Sequence, residues 1–238
     1  MPTDLIMQAS ASLPISSACE RNREPILQAL LSYLIVDETQ PQRLEHNRLV
    51  LEISSGTGQH AAYFTQHFSQ AVNFPSLKSL RWQPSDVREQ LAGIDLWRKK
   101  ANNANFLSPI ELNLKSAQWA PDRYDFAYTA NSLHIVSWPL VLEFCRGVIT
   151  TLRPGGLLFI YGPFNYDGRF TSYSNELFDS NLRHRDEHSG LRDFTALTEA
   201  LCSAASRQGA TMELQADIPM PANNQLLVFK KASIKSAY

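Results

Sequence analysis

The chain has 238 residues, 44% hydrophobic and 19% charged, and its 22 basic and 23 acidic side chains leave a formal net charge of -1. This composition excludes a disordered chain and fits one large α/β domain. The near-zero charge excludes a global field that would draw the protein onto nucleic acid or an anionic membrane.

The elements follow in chain order. Residues 1–19 are expected to form an N-terminal arm. Glu24–Leu34 reads as a helix in which Pro25 is tolerated if it falls in the first turn, with Asn22 as cap. Leu49–Ile53 is the first buried strand, and His60–Phe68 a helix. Leu80–Trp82 is a short second strand, followed by a helix over Val87–Lys99 and a third strand at Ile110–Leu112. Tyr124–Tyr128 and Leu157–Tyr161 are strands separated by a helix over Pro139–Thr151, which Arg153-Pro154-Gly155-Gly156 stops. Residues 162–192 form an insertion containing a capped helix start at Ser174–Phe178, and Phe194–Gln208 is a further helix.

Short, nearly continuous apolar strands alternating with helices predict a parallel sheet covered on both faces. The end of the chain departs from this. Thr211–Ala216 and Gln225–Lys230 are strands joined by Pro219–Asn224, with no room for a helix, so they must pair antiparallel. The expected fold is α/β, a Rossmann-like, doubly wound, mostly parallel seven-stranded sheet with a C-terminal antiparallel hairpin, in a single domain.

The segment that carries chemistry is Leu51-Glu52-Ile53-Ser54-Ser55-Gly56-Thr57-Gly58-Gln59-His60. A buried strand runs into a Gly-x-Gly turn and then a helix, at the end of the strand where doubly wound folds bind ligands. A bare tight turn has the same pattern. Glu52 favours a ligand, because a carboxylate at the end of a buried strand needs a partner. S-adenosylmethionine, which carries an ammonium and a sulfonium, would supply one. Gly56–Ala61 also satisfies G-x-G-x-x-A, so a nicotinamide-dependent oxidoreductase is the rival, and the terminal hairpin argues against it. Asp86, after the second strand, can accept hydrogen bonds from both ribose hydroxyls or cap the following helix. Asn113, after the third strand, can donate to adenine or serve a turn.

Glu52-Ile53-Ser54-Ser55-Gly56-Thr57-Gly58 and Leu152–Leu158 resemble class I S-adenosylmethionine-dependent methyltransferases. Ser54 stands where the family pattern has its first glycine, and Asn113 where many relatives have Asp. A narrower resemblance is to the family called domain of unknown function 938, or methyltransferase-like protein 26. It rests on Glu20–Leu27, Ser54–His60, Trp82–Asp86, Asn131–Ile135, Gly162–Phe170 and Pro219–Asn224, and covers about Glu20 to Lys231. It implies a methyltransferase-like fold and names no substrate.

His134, just past the fourth strand, is the candidate general base, since an imidazole suits proton removal near neutral pH. A merely packed histidine is the alternative. Asn131 is a candidate to touch the methionine part of the cofactor or to orient a substrate, with a structural turn role as the alternative. Arg23, with Arg21 and Asn22, is expected to fold over it, while His60 is read as a helix start. Phe164, Tyr166 and Phe170 are candidates for a cation–π wall around the sulfonium, although such aromatics more often form core. Arg169, Arg183, Arg185 and Arg192 are candidates for an anionic substrate, with a solvated face as the alternative.

Cys19, Cys145 and Cys202 form no CxxC pair or Cys/His cluster, so no metal is implied. Their odd count fits a reducing compartment, and Met1–Leu13 lacks the pattern of a signal peptide. No apolar stretch approaches the roughly 20 residues of a bilayer span. The expectation is a cytoplasmic methyltransferase using S-adenosyl-L-methionine on a small-molecule substrate. A non-catalytic cofactor-binding module acting through partners is a second rival.

Overall fold

The computed structural model describes residues 12–35, 48–115 and 118–233. Helices α1 (Ser17–Leu34) and α2 (Gln59–Gln70) flank strand β1 (Leu49–Ile53) in sequence. Then come α3 (Pro75–Lys78), β2 (Arg81–Asp86), α4 (Arg88–Ala101) and β3 (Ile110–Glu111). The second half holds β4 (Tyr124–Ala130), α5 (Trp138–Thr151), β5 (Leu152–Gly162), β6 (Phe164–Asn165), α6 (Tyr173–Arg185) and β7 (Arg192–Asp193). It closes with α7 (Phe194–Ser206), β8 (Ala210–Met220) and β9 (Asn224–Ser233).

Seven strands form one sheet in the order β3-β2-β1-β4-β5-β9-β8. The β3–β2–β1–β4–β5 ladders are parallel. Strand β9 runs antiparallel to both β5 and β8, so the expected terminal hairpin is present. Its tip is tighter than the sequence suggests, because β8 runs on through Pro219 to Met220. A second, two-stranded sheet pairs β6 with β7, so the segment carrying α6 leaves and returns through neighbouring strands.

Both faces of the large sheet are buried, which explains the unbroken apolar runs. In β5, Phe159 and Tyr161 face the core under α1, α2 and α4, while Leu158 and Ile160 face the core under α5 and α7. In β9, Leu226 and Val228 take the first side and Leu227 and Phe229 the second. This is the two-residue period of a strand.

Four local expectations are corrected. Helix α1 begins at Ser17, capped by the Ser16 side chain, so Pro25 lies inside the helix and Asn22 is not its cap. The sequence missed this because a proline is usually read as a helix start. Residues 1–11 of the expected arm lie outside the described residues. Ser17–Cys19 already belong to α1, and the Pro14 carbonyl accepts from Trp97 Nε1 at 2.8 Å. The cap of α6 is Ser172, whose side chain accepts from Asn175 N. The Arg153–Gly156 stop becomes an irregularity within β5: the register with β4 jumps from Tyr124↔Leu152 to Phe126↔Leu157.

Candidate active site

The carboxyl ends of β1, β2, β4 and β5 open into one cavity of about 1190 Å³. It lies where the chain order reverses, between β1 and β4, the place where open α/β sheets bind ligands. Helices α1, α2, α4 and α6 and the β8–β9 tip contribute to its remaining walls.

Glu52, Ser54, Gly56 and Asp86 all line this cavity. Glu52 is 2% exposed, and its Oε2 accepts from Trp82 Nε1 at 2.9 Å. Burial pushes its carboxyl up to about 7, against the pull of the Trp82 and Ser55 hydrogen bonds. Ser54 adopts φ 59°, a left-handed conformation that costs a non-glycine residue energy. The loop it begins is stitched to β2: Ser55 N donates to Ser85 O at 3.0 Å, and Ser85 Oγ donates to Glu52 O at 2.7 Å. Gly56 has φ +56°, and a Cβ built there would meet no protein atom, so its backbone is open to a ligand.

Asp86 closes the group. Its Oδ2 accepts from Gly56 N and its Oδ1 from Val87 N, both at 2.7 Å. The residue at the cap position of α4 is Val87, which makes no side-chain cap bond, so the helix-cap alternative for Asp86 falls. Each Asp86 oxygen keeps lone-pair capacity toward the cavity. Burial raises its pKa against the two backbone bonds.

The wall from α1 is fastened to α2. Gln59 Nε2 donates to Glu20 Oε1 at 2.7 Å, and Gln59 Oε1 accepts from Ser16 N. His60 Nε2 lies 2.7 Å from Asn22 Oδ1, an acceptor, so this nitrogen carries the hydrogen and Nδ1 faces the Tyr128 hydroxyl at 3.4 Å. Burial lowers the His60 pKa to about 4, with nearby Arg23 adding to the effect. Arg21 and Asn22 reach the cavity. Arg23 is not at the cavity: it pairs with Glu20 Oε2 at 2.8 Å and its guanidinium covers the Tyr63 ring at 4.6 Å. With α1 starting at Ser17, a helix places Arg21 and Arg23 200° apart, which is why the two arginines part company.

His134 lines the cavity, 5% exposed, and touches the Phe178 ring edge-on at 5.2 Å. Burial lowers its pKa to about 4, with the Arg192 charge adding to the effect. The loop that carries it is held from one side by successive donors. Arg192 Nε donates to Leu133 O at 2.8 Å, Gly190 N to His134 O at 2.9 Å, Ser189 Oγ to Ile135 O at 2.6 Å, and the Arg192 guanidinium to Val136 O. Asn131 opens the loop at φ 54° and also lines the cavity.

Several expected residues lie elsewhere. Gly58 faces Ile94, where a Cβ would come within 3.0 Å of the α4 backbone; its role is close packing. Asn113 does not reach the cavity and accepts from Lys115 N at 3.0 Å, the turn alternative. Phe164 is core, Tyr166 stacks on Phe194 and donates to Asp217, and Phe170 is off the lining; the aromatics at the cavity are Tyr161 and Phe178. None of Arg169, Arg183, Arg185 and Arg192 lines it. Gln90, in the first turn of α4, does, and nothing in the local sequence distinguishes it from a solvated glutamine. Among the described residues no group of three or more His, Cys, Asp or Glu could hold a metal, and no helix is long and apolar enough to cross a membrane.

Similar folds occur in solved structures. The S-adenosylmethionine-dependent methyltransferase SibL, in its apo form, matches with a TM-score of 0.64 at 16% identity over 90% of this chain and 56% of its own. An O-methyltransferase family protein from Burkholderia thailandensis matches at 0.62 and 17% over 90% and 60%. PigF with SAH matches at 0.65 and 13% over 89% and 56%. The chain thus spans little more than half the length of these proteins, and at such identities the likeness shows a common fold, the Rossmann-like fold of methyltransferases. The family described as "Protein of unknown function (DUF938)" matches residues 13–231, nearly the whole sequence, and the chain belongs to that family.

Proposed function

We propose that the protein is an S-adenosylmethionine-dependent methyltransferase acting on a small-molecule acceptor. The observation that carries this reading is the convergence of Glu52, the open Gly56 backbone and Asp86 on one cavity at the switch point of the sheet. Their chemistry fits the cofactor. Asp86 offers two acceptor oxygens to the ribose hydroxyls, and Glu52 a carboxylate to the ammonium. Among the described lining residues Arg21 is the one arginine or lysine, and it suits the methionine carboxylate in the place expected for Arg23. Asn131, on its strained turn between β4 and His134, is suited to orient the methionine end.

When bound, S-adenosylmethionine supplies an electrophilic methyl group, which the acceptor takes as the electron pair of the broken bond stays on sulfur. The protein holds the two in line and excludes water. His134, its imidazole neutral above about pH 4, is the lining group placed to accept the acceptor's proton, although the burial and the Arg192 charge that lower its pKa also make it a weaker base than a free imidazole.

Calorimetric titration with S-adenosylmethionine, S-adenosylhomocysteine and NAD⁺ tests the cofactor. Binding of the first two and none of the third is expected; NAD⁺ binding without S-adenosylmethionine binding overturns the reading. Incubation of a metabolite extract with methyl-tritiated S-adenosylmethionine then tests catalysis. Label appearing in a small molecule separates an enzyme from a binding module.

A further inference from the structure

The cavity has two chemically different ends. Both of its carboxylates sit on β1 and β2, on one side of the switch point. Across it, beyond β4 and β5, the walls are His134, Pro163, Phe178 of α6, and Pro221 and Ala222 of the β8–β9 tip. A pocket for one drug-sized ligand spans about 300–1,000 Å³. The cavity, at about 1190 Å³, leaves room for a second molecule at this far end.

Most of the polar groups at the far end are already engaged. Asn175 Nδ2 donates to Thr171 Oγ1 at 2.9 Å and to Asn223 O at 3.0 Å. Asn223 Nδ2 donates to Ser174 Oγ at 3.1 Å, and Asn224 Nδ2 to Pro221 O at 2.9 Å. These bonds tie the hairpin tip to the start of α6 as a roof. His134 differs. His134 is nine-tenths buried, and no hydrogen bond joins its ring nitrogens to another described residue. Ile135, which lines the cavity, is 54% exposed.

We propose that this far end takes an uncharged, largely apolar small molecule carrying a single O–H or N–H group that hydrogen-bonds to His134. The apolar body lies against Phe178, Pro163 and the hairpin tip, with Ile135 beside it. With Arg21 taken by the methionine carboxylate, as proposed above, a carboxylate or phosphate finds no further arginine or lysine among the described lining residues. An ammonium finds no carboxylate at this end among the described lining residues. As the bond from the acceptor oxygen or nitrogen to the methyl carbon forms, the acceptor's proton passes to the free ring nitrogen of His134 and from there to solvent. This deepens the methyltransferase reading and rests on it.

Three probes of one shape and different charge test the inference. The protein saturated with S-adenosylhomocysteine is titrated calorimetrically at pH 7.5 with 1-naphthol, 1-naphthoate and 1-naphthylmethylamine. The expected result is that 1-naphthol binds at least tenfold more tightly than either charged analogue, and that Phe178→Ala weakens it at least tenfold. Phe178 is partly exposed, and the melting temperature of the variant reports its folding. Equal or tighter binding of a charged analogue, no binding of 1-naphthol, or an unchanged affinity in folded Phe178→Ala overturns the inference. S-adenosylhomocysteine binding is read in the same experiment. Its failure removes the methyltransferase reading and this inference together, whereas failure of 1-naphthol alone removes only the acceptor class.

Discussion

The backbone N–H of Gly56 donates to the Asp86 carboxylate at 2.7 Å, joining the loop after β1 to the end of β2. Asp86 therefore both shapes the glycine loop and faces the cavity, and its substitutions should separate those roles poorly. Asp86→Ala removes two backbone hydrogen bonds to a charged group, each contributing roughly 1.5–3 kcal/mol. The expected outcome is a lower melting temperature and S-adenosylmethionine binding weakened about 10- to 150-fold. Asp86→Asn turns an NH₂ toward one of the two backbone donors, and should lose stability as well as affinity. Calorimetry with thermal denaturation checks both. Unchanged affinity in all variants would leave Asp86 as a loop anchor.

Glu52 should make cofactor binding pH-dependent. Its carboxyl lies near 7 in the free protein because burial disfavours its charge. An ammonium beside it favours the ionised form, so affinity should rise up to about tenfold per pH unit from pH 5 to 7 and level off above. The stability sign is opposite. The folded pKa is raised above the unfolded value, so Glu52's stabilising contribution is complete below about pH 4.5 and is lost as pH rises through 7. Glu52→Gln keeps an acceptor for Trp82 Nε1 and should be more stable than the parent at pH 8, by at most about 3 kcal/mol. Urea titrations at pH 5 and pH 8 read the difference.

His134 should titrate near 4 by NMR, and methyl transfer should show no loss from its protonation above about pH 5. Its depressed pKa adds stability above about pH 6.5 that is lost as pH falls through 4. His134→Ala should slow turnover about 10²–10⁴-fold while S-adenosylmethionine affinity stays near that of the parent. Near-normal turnover would reduce His134 to packing.

Arg192 positions His134 without reaching the cavity. Its guanidinium holds the carbonyls of Leu133, Val136 and His188. Arg192→Met should raise the His134 pKa, because one nearby positive charge is gone, while burial keeps it below 6.5. NMR titration of His134 reads that shift, which a purely structural loss elsewhere would not produce. Arg192→Lys retains the charge but not the fork, and should restore the pKa more than the stability.

Gly147 lies in α5 against Trp119, and a Cβ there would fall 1.9 Å from the indole ring. Gly147→Ala should therefore destabilise the protein by about 1–3 kcal/mol despite alanine's better helix propensity. Thermal denaturation checks it.

The sheet, its terminal hairpin and the glycine loop were legible in the sequence because they depend on local signals. Apolar runs of strand length, Pro and Gly at turns, and Glu52 ending a buried strand each act over a few residues. Asp86 and His134 were read as lying near strand ends, which converge in a doubly wound sheet; Asp86 closes β2, His134 lies in the loop after β4, and both line the cavity. Other assignments depended on direction and on distant partners. Arg21 rather than Arg23 faces the cavity because α1 starts at Ser17, and a helix turns 100° per residue. Gly58 serves packing because α4 crosses it, and Asn113 serves its own turn. Phe178 replaces Phe164, Tyr166 and Phe170 at the cavity because β6 and β7 pair and swing α6 over it. Only the tertiary structure decided these, since which way a side chain faces is set by the elements packed against it and not by its own neighbours in the chain.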